Sequence, residues 1–167
     1  MNTTSPPTAT LPRTALSIIL ETAAFYTADP SRRALFRGIK GATGILKDVE
    51  DPNYNSGSCE YLVKENGNMC AVGRCALDAA KLQEDFGGDD VFGISGKSAE
   101  NENQGEYDEN DETINHLDSL LKPEYRGHSL HFWSELQNFH DNSSYWNKEG
   151  LTERGRDRLI ELLTHWG

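Results

Sequence analysis

Apolar residues recur at intervals of three and four along much of the chain, a pattern that predicts amphipathic helices. The first helix is predicted over residues 12–26 with Thr14 as its cap, and Asp29-Pro30 predicts the start of a second, shorter one. Further helices are predicted at residues 113–121, after Ser129 and after Thr152. Their expected inward residues are Leu16, Ile19, Leu20, Ala23 and Ala24 in the first helix, Phe132, Trp133, Leu136, Phe139 and His140 after Ser129, and Leu159, Leu162, Leu163 and Trp166 in the last.

A change of period predicts one β-hairpin at about residues 59–71. Cys59, Tyr61 and Val63 alternate along one face of a strand, and Asn66-Gly67 supplies a turn in which both residues tolerate positive φ. Helical spacing then resumes, so that Cys70 is expected near the start of a helix that ends at Gly87-Gly88. We therefore expect an α+β fold, a mainly helical single domain of five to six helices over residues 12–167, with this one small hairpin.

The length of the chain, and a start that does not resemble a targeting signal, favour a small soluble protein in the cytoplasm. The 167 residues fit one domain with one core, and residues 1–11, rich in Thr, Ser and Pro, predict a disordered tail rather than a secretory signal. The longest apolar run, Leu16–Leu20, is far shorter than the roughly 20 residues that cross a bilayer, so no membrane association is expected. Three cysteines, an odd number, favour reduced thiols.

The negative charge is concentrated in one part of the sequence. Between Glu84 and Asp118 there are twelve acidic residues against the single base Lys97, a surplus of eleven that equals the net charge of the whole chain. Residues 87–112 are therefore expected to form an acidic, flexible excursion. It has two interpretations: a solvated loop, or a surface that binds a basic protein, as inhibitors that imitate the nucleic-acid backbone do. The candidate partner-binding residues are Asp89, Asp90, Glu106, Asp108, Glu109, Asp111 and Glu112.

The negative net charge also makes direct binding to nucleic acids unfavourable. A chain of net charge −11 repels phosphate, which argues against direct nucleic-acid binding.

A catalytic interpretation rests on Cys70, His140 and Asp141. A cysteine at a helix N-terminus is a candidate nucleophile, and a histidine followed by an acid can serve as its base. The alternative is that the cysteines and His140 pack inside the protein, because they lie on apolar faces.

A metal site is the third interpretation of the cysteines. Cys59, Cys70 and Cys75 are weak candidate ligands, together with one of His128, His131 and His140. With ten and four residues between successive cysteines, the spacing does not match the close cysteine pairs of zinc knuckles, so packing is the preferred interpretation and no cofactor is expected.

The hairpin and two later segments resemble a group of small uncharacterised bacterial and phage proteins. The resemblance depends on Cys59-x-Tyr61, Gly67 and Cys70-Ala71-Val72-Gly73, and on Leu136-Gln137, His140-Asp141 and Trp146. It covers residues 59–82 and 133–163 and implies a compact α+β domain, a phage or mobile-element origin and no mechanism.

Two functions follow as expectations. The first is a protein-binding module, in one form an inhibitor that uses an acidic surface. The alternative is a small Cys/His-dependent hydrolase or transferase that uses Cys70, His140 and Asp141.

Overall fold

A computed structural model describes residues 11–34, 60–64, 66–87, 89–94 and 116–167. The α-helices are α1 (Ala15–Ala28), α2 (Ala79–Phe86), α3 (Leu130–Asp141) and α4 (Glu153–Trp166), and residues 91–94 are also helical. The strands β1 (Trp146–Asn147) and β2 (Gly150–Leu151) form a two-stranded antiparallel sheet. The predicted fold class, α+β and mainly helical, is confirmed. Short 3-10 turns lie at Pro30–Arg32, Gly73–Cys75, His116–Leu120, Pro123–Tyr125 and Ser143–Tyr145.

Side-chain caps fix where the helices begin. In α1 the Thr14 hydroxyl accepts a hydrogen bond from the backbone N–H of Ser17 at 3.1 Å, which satisfies an amide that has no partner within the helix. Each of the other three helices is capped in the same way, three residues ahead of the donor. Their caps are Asp78, Ser129 and Thr152.

The helix predicted to follow Cys70 without interruption is broken. Gly73–Cys75 form a single 3-10 turn, Ala76 pairs with Leu121 in an antiparallel bridge, and α2 begins only after Asp78. Cys70 therefore does not stand at the N-terminus of an α-helix, and that prediction is wrong. Periodicity could not reveal the break, because it is imposed by contact with a segment 45 residues further along the chain.

In the described part of the hairpin predicted at about residues 59–71, the pairing is a single antiparallel bridge, between Leu62 and Met69. The Val63 N–H donates to the Asn68 carbonyl oxygen at 2.8 Å, and Gly67 takes the positive φ of 77° that the predicted turn requires. Cys59 lies outside the described residues. The two-stranded sheet stands elsewhere, between α3 and α4, where the sequence pattern gave no strand signal.

The core is aromatic and gathers around α3. All five residues of its predicted inward stripe are buried, which confirms that prediction. α1 and α3 both pack against α4, and Trp146 closes the core from β1 by donating its Nε1–H to the Phe139 carbonyl oxygen at 2.7 Å. In the part of the chain that the structure describes, the largest fully buried side chains are Trp133, Trp146, Tyr26, Tyr61, Phe132 and Phe139.

Candidate functional site

Among the predicted site residues that the structure describes, His140 makes several hydrogen bonds, and its side chain is completely buried. Its Nδ1 lies 2.6 Å from Oδ1 of Asp141, and its Nε2 accepts a hydrogen bond from the backbone N–H of Ala34 at 3.2 Å. Since a backbone N–H can only donate, Nε2 carries no proton and the imidazole is the neutral Nδ1–H tautomer. Burial lowers the pKa of His140 from its usual 6.5, although the Asp141 carboxylate acts in the opposite direction.

Asp141 extends this network to the segment after the hairpin. Its Oδ1 also accepts a hydrogen bond from the Gln137 side-chain amide at 3.0 Å, and the Gln137 oxygen accepts one from the Val72 N–H at 3.3 Å. The Asp141 side chain is 37 % exposed, so the buried imidazole is joined to solvent through this carboxylate. His140 and Asp141, predicted as a pair, are in direct contact.

The thiols of Cys70 and Cys75 are both free and fully buried. Cys70 Sγ accepts a hydrogen bond from the Gly73 N–H at 3.3 Å, within its own turn. Burial raises the pKa of Cys75 to about 12, which leaves almost no thiolate at neutral pH.

The geometry of Cys70 and His140 favours a structural role over nucleophilic catalysis. A general base needs a nitrogen lone pair directed at the nucleophile, whereas the one lone pair of His140 is occupied by Ala34. A nucleophile also needs access to substrate, and Cys70 has no exposed surface. The catalytic assignment of Cys70, His140 and Asp141 stays a prediction that this arrangement does not support.

Within the described ranges, no three His, Cys, Asp or Glu residues come close enough to hold a metal ion. Cys59, one of the three candidate ligands, lies outside those ranges.

Two of the seven predicted partner-binding acids lie in the described part of the chain. Asp90 Oδ1 accepts the Gly93 N–H at 2.7 Å and so caps the helical residues 91–94, while the Asp89 carbonyl oxygen accepts the Tyr61 hydroxyl at 2.5 Å. Asp90 and Asp141 share the wall of a shallow notch of about 170 Å³ with Val91, Ser134, Gln137 and Asn138. The remaining five candidates, Glu106, Asp108, Glu109, Asp111 and Glu112, lie outside the described residues.

The exposed face of α1 consists of residues that the hydrophobic pattern predicts to lie in the core. Of the predicted inward residues, Ile19 and Ala23 are buried, but Leu16 and Leu20 are 41 % and 48 % exposed and Ala24 is exposed as well. The core is contacted instead by a neighbouring set of residues. Those buried residues are Ile18, Ile19, Thr22, Ala23 and Tyr26.

The exposed face of α1 also carries no charge. Glu21 is the one ionisable acid or base among the fourteen residues apart from the buried Tyr26, and it turns to the side, towards Arg13 and Arg74 at 2.5 Å from each. Tyr125 adds a hydrogen bond to the same carboxylate at 2.5 Å. Leu16, Leu20 and Ala24, spaced four residues apart, form one stripe, which we call the α1 face.

One end of the α1 face lies beside the end of α4. Leu16 lies beside Gly167 at the end of α4, and Gly150, which precedes α4, lies beside Thr27 at the other end of α1, so the two helices run antiparallel. Ile160 of α4 is 61 % exposed.

No family model, curated protein or solved structure matches the chain. In the ranges that the structure describes, none of the helices combines the length and apolarity that crossing a membrane requires.

Proposed function

We propose that this protein is a protein-binding module whose docking surface is the α1 face. The observation that carries the proposal is the placement of apolar side chains on both sides of α1. A helix with apolar side chains on all sides is normally buried on all sides. Burying a leucine removes apolar surface from water, and an exposed leucine does not contribute this favourable free energy. In a chain with 26 % charged residues, a solvent-facing stripe without charge is the type of surface that partners cover.

The partner we propose is a basic protein. The chain has a net charge of −11, so a positively charged partner is attracted during approach while an acidic one, or a second copy of this chain, is repelled. In this proposal the partner contacts the α1 face directly. The acidic residues predicted from the sequence attract the partner and increase its association rate. Asp90 fits this role, because it is exposed and its carboxylate, which caps residues 91–94, adds to the attraction of a basic partner.

The experiment is affinity capture with the purified protein as bait, followed by measurement of the identified partner by calorimetry. The test variants are the double substitution Leu16→Gln with Leu20→Gln, and Ala24→Glu, which places a charge on the α1 face without removing any core contact. Leu77→Gln is the matched control, because Leu77 is 57 % exposed and apolar but lies outside α1. Circular dichroism checks that every variant is folded.

We expect both test variants to lose the captured partner and the control to keep it. The captured protein should have a high isoelectric point, and its association rate should fall as salt is raised. Equal capture by all variants would contradict the proposed surface, and an acidic partner would contradict the proposed chemistry.

The hydrolase or transferase remains the second candidate, on the strength of one observation. The contact of 2.6 Å between His140 Nδ1 and Asp141 is the contact by which an acid orients a catalytic histidine. This function requires Cys70 to become accessible and Ala34 to release Nε2. Labelling of Cys70 by an electrophilic thiol probe in the folded protein would favour it.

A further inference from the structure

Residues 30–34, which we call the strap, are held to the rest of the protein largely by side chains. Within the described residues, the hydrogen bonds between the strap's own backbone and other backbone groups are local, from Arg32 to Asp29 and from Arg33 to Pro30. His140 accepts the Ala34 N–H through Nε2, and its carbonyl oxygen accepts Nε and Nη2 of Arg33 at 2.9 and 2.5 Å. Asn68 holds the other end of the strap by donating to the Ser31 carbonyl oxygen at 2.6 Å.

Protonation of His140 reverses one of these interactions. In the imidazolium both nitrogens donate, so Nε2–H would point at the Ala34 N–H and the hydrogen bond of 3.2 Å would become a repulsion between two donors. The new positive charge would also lie beside the Arg33 guanidinium, itself buried at 2 % exposure. A water molecule cannot easily relieve this conflict, because the ring has no exposed surface.

The other charged and titratable groups around the ring do not prevent the reversal. The Tyr26 ring of α1 packs edge-on at 4.8 Å, and burial raises its pKa well above 10, so it stays neutral. Arg33 and Arg74 both act against a positive charge on His140, and among the described residues around the ring Asp141 is the acid that favours it. Asp141 already accepts Nδ1–H from the neutral ring. Protonation therefore strengthens the attraction between Asp141 and the ring but adds no hydrogen bond.

We propose that His140 is a pH-sensitive latch: in its neutral form it fastens the strap to α3, and its protonation releases the strap while the helices stay folded. The buried ring supplies a two-state element, since the same nitrogen either accepts from the strap or repels it. The latch is independent of the α1 face, because its residues belong to the strap and the interior.

The test is an NMR titration of the purified protein, with amide exchange of the strap measured in the same samples. Long-range ¹H–¹⁵N spectra report the tautomer and the titration of His140, and exchange rates corrected for pH give the protection of the Ala34 amide. We expect unprotonated Nε2 at neutral pH, and an approximately tenfold or greater loss of Ala34 protection with the same midpoint, below about 6.5. Amides in the middle of α3 should change less than about twofold.

A variant shifts the midpoint without removing the ring. Asp141→Asn keeps an acceptor for Nδ1–H but removes the charge that favours the imidazolium, so both midpoints should move together to lower pH. Asp157→Asn, on the exposed side of α4, should leave them unchanged. Three results would overturn the latch: a proton on Nε2 at neutral pH, unchanged Ala34 protection as His140 titrates, or titration of His140 only when the whole protein unfolds.

Discussion

Glu21 and Arg74 join α1 to the turn at Gly73–Cys75 through an ion pair of 2.5 Å, in which the arginine side chain is only 11 % exposed. Loss of the carboxylate leaves Arg74 partly desolvated without its anion, which costs more than the same change at the surface. We expect Glu21→Gln to lower the free energy of unfolding by about 1–2 kcal/mol. Urea denaturation measures this, and Glu161→Gln, whose glutamate pairs with Arg158 on the exposed side of α4, is the control that should change it little.

The same carboxylate predicts a loss of stability in acid. Burial acts to raise the pKa of Glu21, but hydrogen bonds from Tyr125 and Arg74 outweigh it and the pKa lies below its usual 4.5. The folded protein then binds fewer protons than the unfolded chain, so the contribution is present above pH 4.5 and is lost as the pH falls through the folded-state pKa. Between neutral pH and the acid end of this window, wild type should lose more stability than Glu21→Gln. Parallel urea midpoints for the two proteins at every pH would contradict this.

Gly73 has no room for a side chain. A Cβ atom there would lie closer than 3.0 Å to the backbone oxygen of Tyr61, and Tyr61 is fixed by Gln83, which accepts its N–H at 2.6 Å. Gly73→Ala should therefore destabilise the protein by about 1–3 kcal/mol. Gly67→Asn is the matched control: this glycine also sits in a turn, but open space surrounds it and asparagine tolerates its positive φ. Similar unfolding midpoints for the two variants would contradict the prediction that a side chain at residue 73 clashes with the Tyr61 backbone.

The buried thiols of Cys70 and Cys75 should react very slowly in the native state. In a Cys59→Ser background, we expect a disulfide reagent to label Cys70 and Cys75 at least about 100-fold more slowly in buffer than in urea. The physical reasons are the absence of exposed surface at both residues and the raised pKa, about 12, of Cys75. Labelling of Cys70 in buffer at the rate seen in urea would instead favour the catalytic interpretation.

Structural features that are determined by residues close together in the sequence could be predicted. Thr14 and Thr152 cap their helices as expected, because a cap is set within four residues of sequence. The inward stripe of α3 was also predicted, since one side of that helix is apolar and the other is polar. Where both sides of a helix are apolar, as in α1, periodicity cannot distinguish the core from the surface, and Leu16 and Leu20 were assigned to the wrong side.

The candidate site was predicted only as far as residue identity and adjacency allow. His140 and Asp141 are neighbours in sequence, and their contact could be anticipated. The partner of the second ring nitrogen could not, because Ala34 stands 106 positions away and contributes only a backbone N–H, which no residue pattern reveals. The break between Cys70 and α2 has the same origin, since it depends on the bridge from Ala76 to Leu121.

The binding role of the α1 face is tested most directly by the dissociation constant of the captured basic partner, measured by calorimetry for wild type, Leu16→Gln/Leu20→Gln and Leu77→Gln. Two half-exposed leucines at the centre of a contact predict a loss of at least about tenfold in affinity for the double variant, and less than about twofold for Leu77→Gln. An unchanged constant for a folded double variant would contradict the account.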